Sequence, residues 1–387
     1  MSVSALQNKL LHLKHELKKT AVERDRIGGT AFAERQLIRD SGLLLLFLPK
    51  TVGGAEQSWL EILLSVREIA SVDSSLAHLY AFQHLILATI QLFGTPVQTE
   101  RFFLETGQDN LFWGNALNPL DTRTTVVQKS GRIFINGHKS FCSGARDSDR
   151  LLVSAVDEQG RLLVAGIPSH RQGITICDDW DNIGQRQTDS GSVQFQQVEL
   201  FADEILSTPG PLGSTFASLR PLIAQLLFCN IYLGIAQGAL EEAATFTKTQ
   251  SRPWFASGVQ QVGNDNYILR RYGELSVEIR AAEALTNYAA LKLQAAWEQG
   301  DNLTTDERGQ CALDIAAAKV ITTQTGLQVS NKIFDVMGAR ATTAALRLDR
   351  YWRNVRVHTL HDPVDYKLHD LGDWVLNQRF PTPSFYS

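Results

Sequence analysis

Leu6, Leu10, Leu13 and Leu17 recur at steps of four, three and four, and Lys9, Lys14 and Lys18 fall off that series. That spacing collects the apolar side chains on one stripe of a helix and leaves the lysines outside. The same period predicts helices over 4–27, 31–41, 57–71, 74–93 and 96–107, with breaks at Gly28-Gly29, Pro49, Gly53-Gly54 and Gly94-Thr-Pro96. From about residue 113 the pattern changes to short β runs, at 124–128, 132–135, 150–156, 162–167 and 192–200. Asn136-Gly137 predicts a tight turn between the second run and a further run over 138–142. This stretch reads as a small antiparallel barrel or sandwich. Beyond about residue 212 the helical period returns in long segments, 215–249, 265–299 and 307–338, followed by 345–360 and 364–377. Helices of that length, rich in Ala and Leu, predict a bundle that packs and oligomerises along its length.

The result is a multidomain α+β chain. A helical domain (1–112) precedes a middle β domain (113–207) and a C-terminal four-helix bundle (208–387). At 387 residues the chain is too long for one small core. Composition adds exclusions rather than detail. A net charge of −4 without a basic block argues against nucleic acid. The densest apolar run, Leu43 to Leu48, is too short to span a bilayer, and charges interrupt the N-terminal apolar positions. A cytoplasmic protein without signal peptide or membrane span is expected. Cys142, Cys177, Cys229 and Cys311 lie far apart and form no metal spacing, so reduced thiols and no metal are expected.

The candidate chemistry is densest in Arg350-Tyr-Trp-Arg-Asn-Val-Arg-Val-His358-Thr-Leu-His361-Asp-Pro363. Residues three apart on a helix share a face, so His358 and His361 can point into one site. Pro363 disfavours helix in the residue before it, which places the end near Leu360 or His361. Both rings then meet the negative end of the helix dipole, which favours imidazolium and suits a proton donor. Spacing alone favours a pair capping a surface helix. His78 lies in the predicted helix 74–93, where a satisfied core histidine is the competing reading. His84 follows six residues on and points elsewhere.

The order of helical, β and long-helix regions, with several specific runs, resembles the acyl-CoA dehydrogenase fold over nearly the full length. Thr20-Ala-Val-Glu-Arg-Asp-Arg26, Phe141-Cys-Ser-Gly-Ala145, Gln187-Thr-Asp-Ser-Gly-Ser192, Trp352-Arg-Asn-Val-Arg356, Leu360-His-Asp-Pro-Val364 and Phe380-Pro-Thr-Pro-Ser-Phe385 resemble the flavin-dependent monooxygenases on that fold. The nearest group comprises the dibenzothiophene monooxygenases and the related alkanesulfinate and sulfone monooxygenases. The resemblance implies FMN (FAD being the alternative) lying between β domain and bundle. The flavin would be reduced by a separate NAD(P)H:flavin reductase, since the chain has no Gly-x-Gly-x-x-Gly fingerprint. It also implies an organosulfur substrate, O2, and a homotetramer.

By the same resemblance, Trp113, Asn115, Phe141, Cys142 and Ser143 belong to two flavin-facing β segments, and Trp180 walls the ring or fills the barrel core. Ser190 or Ser192 bonds the polar edge of the flavin. Arg252 and Arg340 match phosphate-facing arginines, though each also reads as an ordinary surface charge. A dehydrogenase of this fold needs a carboxylate base. Here the matching loop reads His361-Asp362-Pro363, and residues 211–240 contain no acid. The resemblance therefore implies a C4a-hydroperoxyflavin that is protonated and held by a histidine. His361 is first in that role, His358 orients it or holds substrate, and His78, Asn115 and Ser143 assist. A FAD dehydrogenase or oxidase using Asp362 as base, and a non-catalytic protein keeping the fold, are the alternatives.

Overall fold

The computed structural model describes residues 3–387. Its first region holds α1 (Val3–Ile27), α2 (Phe32–Ser41), α3 (Trp59–Ala70), α4 (Ser74–Phe93) and α5 (Pro96–Asp109). Ser58 with Glu61, and Thr95 with Gln98, close capping boxes at α3 and α5. The Asp73 carboxylate accepts the Leu76 N–H at the start of α4. The helix α4 is buried on every side, so it carries no polar face.

The middle region holds β1 (Trp113–Ala116), β2 (Thr125–Lys129), β3 (Arg132–Lys139), β4 (Arg150–Val156), β5 (Leu162–Pro168), β6 (Ile174–Ile176) and β7 (Val193–Leu200). They form one curled, mixed sheet in the order β1-β4-β2-β3-β7-β6, with β5 paired to β4. The antiparallel expectation needs correction, because β1 runs parallel to β4. Asn136-Gly137 is also not a hairpin turn. The strand β3 continues through it, and the register against β7 shifts between Ile135 and Gly137. Gly137 has φ 116°, and a Cβ there would sit 2.0 Å from the Arg123 carbonyl oxygen, so this is a bulge that only glycine fits. The turn lies earlier, at Ser130-Gly131, where both residues take positive φ.

The third region holds α6 (Leu219–Thr249), α7 (Asn266–Gln299), α8 (Thr305–Met337), α9 (Arg350–His358) and α10 (Asp365–Asn377). The three long helices pack on one another, and α10 packs on α8 as the fourth member of the bundle. Gly234 and Gly238 let α6 approach α3 closely: a Cβ at either would fall within 2.4 Å of a carbonyl oxygen. One hydrophobic core therefore runs from Leu6 to Val355 through both helical regions, and the sheet keeps a second core of its own. By length and composition α4 and α6 are apolar enough to cross a membrane, yet 94% of each such window is buried inside the protein. The helix α9 begins later than the expected 345, after Arg347 takes a left-handed φ of 50°.

Candidate functional site

The sequence runs quoted above are largely joinery. The Asp25 carboxylate on α1 accepts from Arg347 at 2.7 Å and Arg353 at 2.6 Å, which fixes α9 against α1. Arg24 donates to Asp73, the cap of α4, and to Gln187 at 2.7 Å. Asn354 on α9 accepts the Gln185 N–H at 2.7 Å. Three elements distant in sequence are thereby set around one cavity of about 680 Å³, a size typical of small-molecule sites.

One wall is the sheet. Asn115 comes from β1, Ser143 follows β3, and Thr188 and Ser190 precede β7. Their hydroxyls form a chain whose polarity can be derived. The Gln185 carbonyl can only accept, so Thr188 Oγ1–H donates to it at 2.9 Å. Ser190 then donates to Thr188 at 2.7 Å, and Ser143 must donate to Ser190 at 2.7 Å. The Ser143 oxygen is left to accept from His78 Nε2 at 2.9 Å. His78 is thus the Nε2–H tautomer, and its buried Nδ1 has no partner. Burial holds the ring neutral, with its pKa pushed down to about 3.

The opposite wall comes from the bundle. Phe228 of α6 lies between His358 and His361, with ring centroids 5.3 and 4.7 Å away. His361 lies beyond the helix end, and its N–H bonds the His358 carbonyl at 3.0 Å, so the two rings stay on the cavity together. Asp362 accepts from His361 Nδ1 at 3.1 Å, from Lys319 Nζ at 3.2 Å and from Gln225 Nε2 at 3.2 Å. A carboxylate only accepts, so His361 carries its proton on Nδ1, and Nε2 is the atom that gains or loses one. Burial would raise the Asp362 pKa. The hydrogen bond from His361 and the Lys319 and Lys367 ammonium groups outweigh it and hold the carboxyl well below its usual range.

The helix-dipole expectation of an imidazolium is corrected here. Burial, then the charge of neighbouring groups, lowers the pKa of both His358 and His361, and for His361 the Asp362 hydrogen bond only partly opposes this. Desolvation of a ring is a larger effect than the roughly 0.3–2 kcal/mol of a helix terminus.

His78, Asn115, Phe141, Ser143, Trp180, Ser190, His358 and His361 share the one cavity. Five other candidates lie elsewhere. The Trp113 indole is 1% exposed, donates to Thr106 Oγ1 at 3.0 Å and packs on Phe102, where its large apolar ring is best buried. The Cys142 thiol points into the sheet core, opposite its neighbours Phe141 and Ser143, and burial raises its pKa to about 12. Ser192 bonds Asp179 instead of the cavity. Arg252 and Arg340 are exposed, with Arg340 donating to the Gln250 carbonyl at 3.4 Å. Sequence reasoning missed Arg220, Gln225, Phe228 and Lys319. The absence of acids in 211–240 was the available signal: α6 offers the cavity a cation and an amide instead.

The chain matches the models of the acyl-CoA dehydrogenase N-terminal domain at residues 12–106, middle domain at 114–198 and C-terminal domain at 226–366. It is 54% identical to a probable FMNH2-dependent monooxygenase, SfnC, of Pseudomonas putida, covering 97% of this chain and 95% of that one. It is 42% identical to a dibenzothiophene monooxygenase of Rhodococcus erythropolis, covering 97% and 94%. The structure of methanesulfinate monooxygenase MsuC from Pseudomonas fluorescens superposes with a TM-score of 0.98, at 53% identity and full coverage of both chains. TdsC from Paenibacillus sp. A11-2, solved with FMN and indole, superposes at 0.95, with 42% identity over 99% of this chain and 100% of that one. Sequence, fold and the histidine-lined cavity agree that this chain belongs to the FMNH2-dependent monooxygenases built on the acyl-CoA dehydrogenase fold.

Proposed function

We propose that the protein takes reduced FMN from a separate flavin reductase and inserts one oxygen atom of O2 into an organosulfur compound, a thioether or a small alkanesulfinate. The observation that carries this is a cavity lined by three histidines and a hydroxyl chain, with the buried carboxylate of Asp362 held behind His361 and tied to Lys319. A carboxylate whose oxygens already accept from His361, Lys319 and Gln225, and whose basicity those contacts lower, is unsuited to abstract a substrate proton, which counts against the dehydrogenase alternative. The cavity suits a flavin. Asn115 Oδ1, Gln185 Oε1 and His78 Nδ1 are buried without partners around it, and Phe141, Trp180 and Phe228 offer flat apolar walls. When bound, reduced FMN supplies two electrons and activates oxygen. Ser143 and Asn115 are in position to bond the ring, His78 holds Ser143 in one orientation, and His361 Nε2 moves a proton. Phe82, Leu117 and Phe385 help to exclude water.

A homotetramer is part of the proposal. Trp254 and Phe255 are 68% and 86% exposed, beside Arg252, and Tyr267 and Val277 leave an apolar face on α7. A second copy covering that face would bring Arg252 toward a neighbour's flavin phosphate, a pairing its forked guanidinium suits. The cysteines are all free thiols, which agrees with a cytoplasmic setting.

The test supplies reduced FMN, O2 and candidate sulfur compounds, and follows product by mass spectrometry and peroxide by colour assay. His361→Ala is expected to bind FMN normally, to cut product formation by about 10²–10⁴-fold, and to release peroxide instead. Coupled turnover at the parent rate would remove His361 from the reaction.

A further inference from the structure

We propose that Arg220 is the anion receptor of this cavity, and that it selects a small sulfur oxyanion, an alkanesulfinate, over a neutral thioether. The inference rests on the organosulfur reading above and narrows it. Six arginines are buried among the described residues: Arg24, Arg35, Arg67, Arg220, Arg308 and Arg350. Arg24, Arg35, Arg67 and Arg350 each meet a carboxylate, of Asp73, Asp189, Glu283 and Glu242 respectively. Arg308 instead donates to Ser218 and to the Ser387 carbonyl. Arg220 has neither kind of partner. It is 6% exposed, its Nε is buried without an acceptor, and the guanidinium lines the cavity.

A guanidinium taken from water without a counter-ion is costly to the fold. A charge held there at the expense of stability needs an anion that is absent until ligand binds. Burial lowers its pKa only to about 10, so it remains charged at neutral pH. Phe228, Phe385 and Tyr386 line the same cavity, and the Arg220 charge helps to keep the His361 ring neutral. A sulfinate places its two oxygens where a forked donor binds them together, and leaves the sulfur lone pair free. That pair forms one new S–O bond to give the sulfonate. The second oxygen atom of O2 leaves as water with two protons, and reduced FMN gives up two electrons to become FMN. Substrate and product carry the same single negative charge, so one cation holds both.

The FMN phosphate is the other anion that could meet Arg220, and the experiment separates the two. Calorimetry measures methanesulfonate and its uncharged isostere dimethyl sulfone against the FMN-loaded protein, and flavin fluorescence gives the FMN affinity. The wild type is expected to bind the sulfonate and not the sulfone. Arg220→Gln should weaken sulfonate binding, and raise the methanesulfinate KM relative to that for dimethyl sulfide, by about 10- to 100-fold. Arg220→Lys should recover part of it, with FMN affinity unmoved. Loss of FMN affinity with sulfonate binding intact would assign Arg220 to the phosphate and overturn the proposal. A wild type that oxygenates dimethyl sulfide yet binds sulfone as well as sulfonate would also overturn it, while leaving the organosulfur reading standing. Failure to oxygenate any sulfur compound would remove that reading and this one together. Should Arg220→Gln not fold, the comparison of sulfonate with sulfone in the wild type decides alone.

Discussion

The two walls of the cavity handle buried polarity in opposite ways. On the sheet side, Thr188, Ser190 and Ser143 pass neutral hydrogen bonds from a backbone carbonyl to His78, and no charge is buried in that chain. On the bundle side, Lys319 and Asp362 form a buried ion pair against which the 39%-exposed, neutral His361 ring leans, and Arg220 adds a cation without a counter-ion. A neutral chain anchored at one carbonyl sets a tautomer with little desolvation cost. A buried ion pair costs far more to desolvate, but it holds His361 by Nδ1 and leaves Nε2 free to exchange a proton. In the proposed reaction the sheet wall orients, and the bundle wall does the proton chemistry.

The harshest way to break this contrast is Asp362→Asn. It leaves Lys319, with 1% of its side chain exposed, facing no negative charge. Breaking such a pair is expected to cost about 3–5 kcal/mol in urea unfolding. Replacing both partners, as Lys319→Met with Asp362→Asn, should recover most of that stability while coupled turnover stays low. If the single and double variants are equally unstable, the pair is not what holds His361.

The sheet wall should respond more mildly. Thr188→Val removes the acceptor of Ser190, at a cost of about 1–3 kcal/mol. It also undoes the polarity of the chain, so His78 should populate both tautomers. Nitrogen NMR of the ring reads this directly, and a ring that stays wholly Nε2–H in the variant would refute the derived chain.

Acid should affect both walls through their histidines. Burial lowers the pKa of His78 and His84 to about 3, and it lowers those of His358 and His361 as well. The unfolded chain binds those protons near pH 6.5, so below that value unfolding takes up protons and stability drops. Stability is complete above about pH 6.5 and decreases toward pH 5, as urea titrations at pH 7.5 and 5.0 would record. Equal values at the two pH values would mean that the rings are hydrated, not buried.

The gentlest check is Ser192→Ala, outside the cavity. It should change stability by no more than about 0.5 kcal/mol and leave FMN affinity alone. A clear loss of FMN binding would return Ser192 to the site.

Helical and strand periods were readable because burial of one face imposes them locally. Leu6 to Leu17 in α1, or the alternation in β7, needs no distant partner to be seen. Asn136-Gly137 misled for the same reason. Asn-Gly favours positive φ wherever it stands, and only the pairing of β3 with β7 makes it a bulge. His78, His358 and His361 were readable as ionisable residues near helix ends or in apolar helices. Arg220 and Lys319 were not, because a cation in an amphipathic pattern looks the same whether it meets water, an acid or an empty pocket.

By itself the sequence determined the element types, the order of three regions, the lack of an acidic residue in 211–240 and the histidine pair before Pro363. All of these follow from short-range spacing and residue chemistry. Tertiary structure alone decided that the helical regions share a core, which proton His78 and His361 each keep, and that both rings are neutral. Those properties depend on desolvation and on hydrogen-bond partners brought in from far along the chain, and no local pattern encodes either.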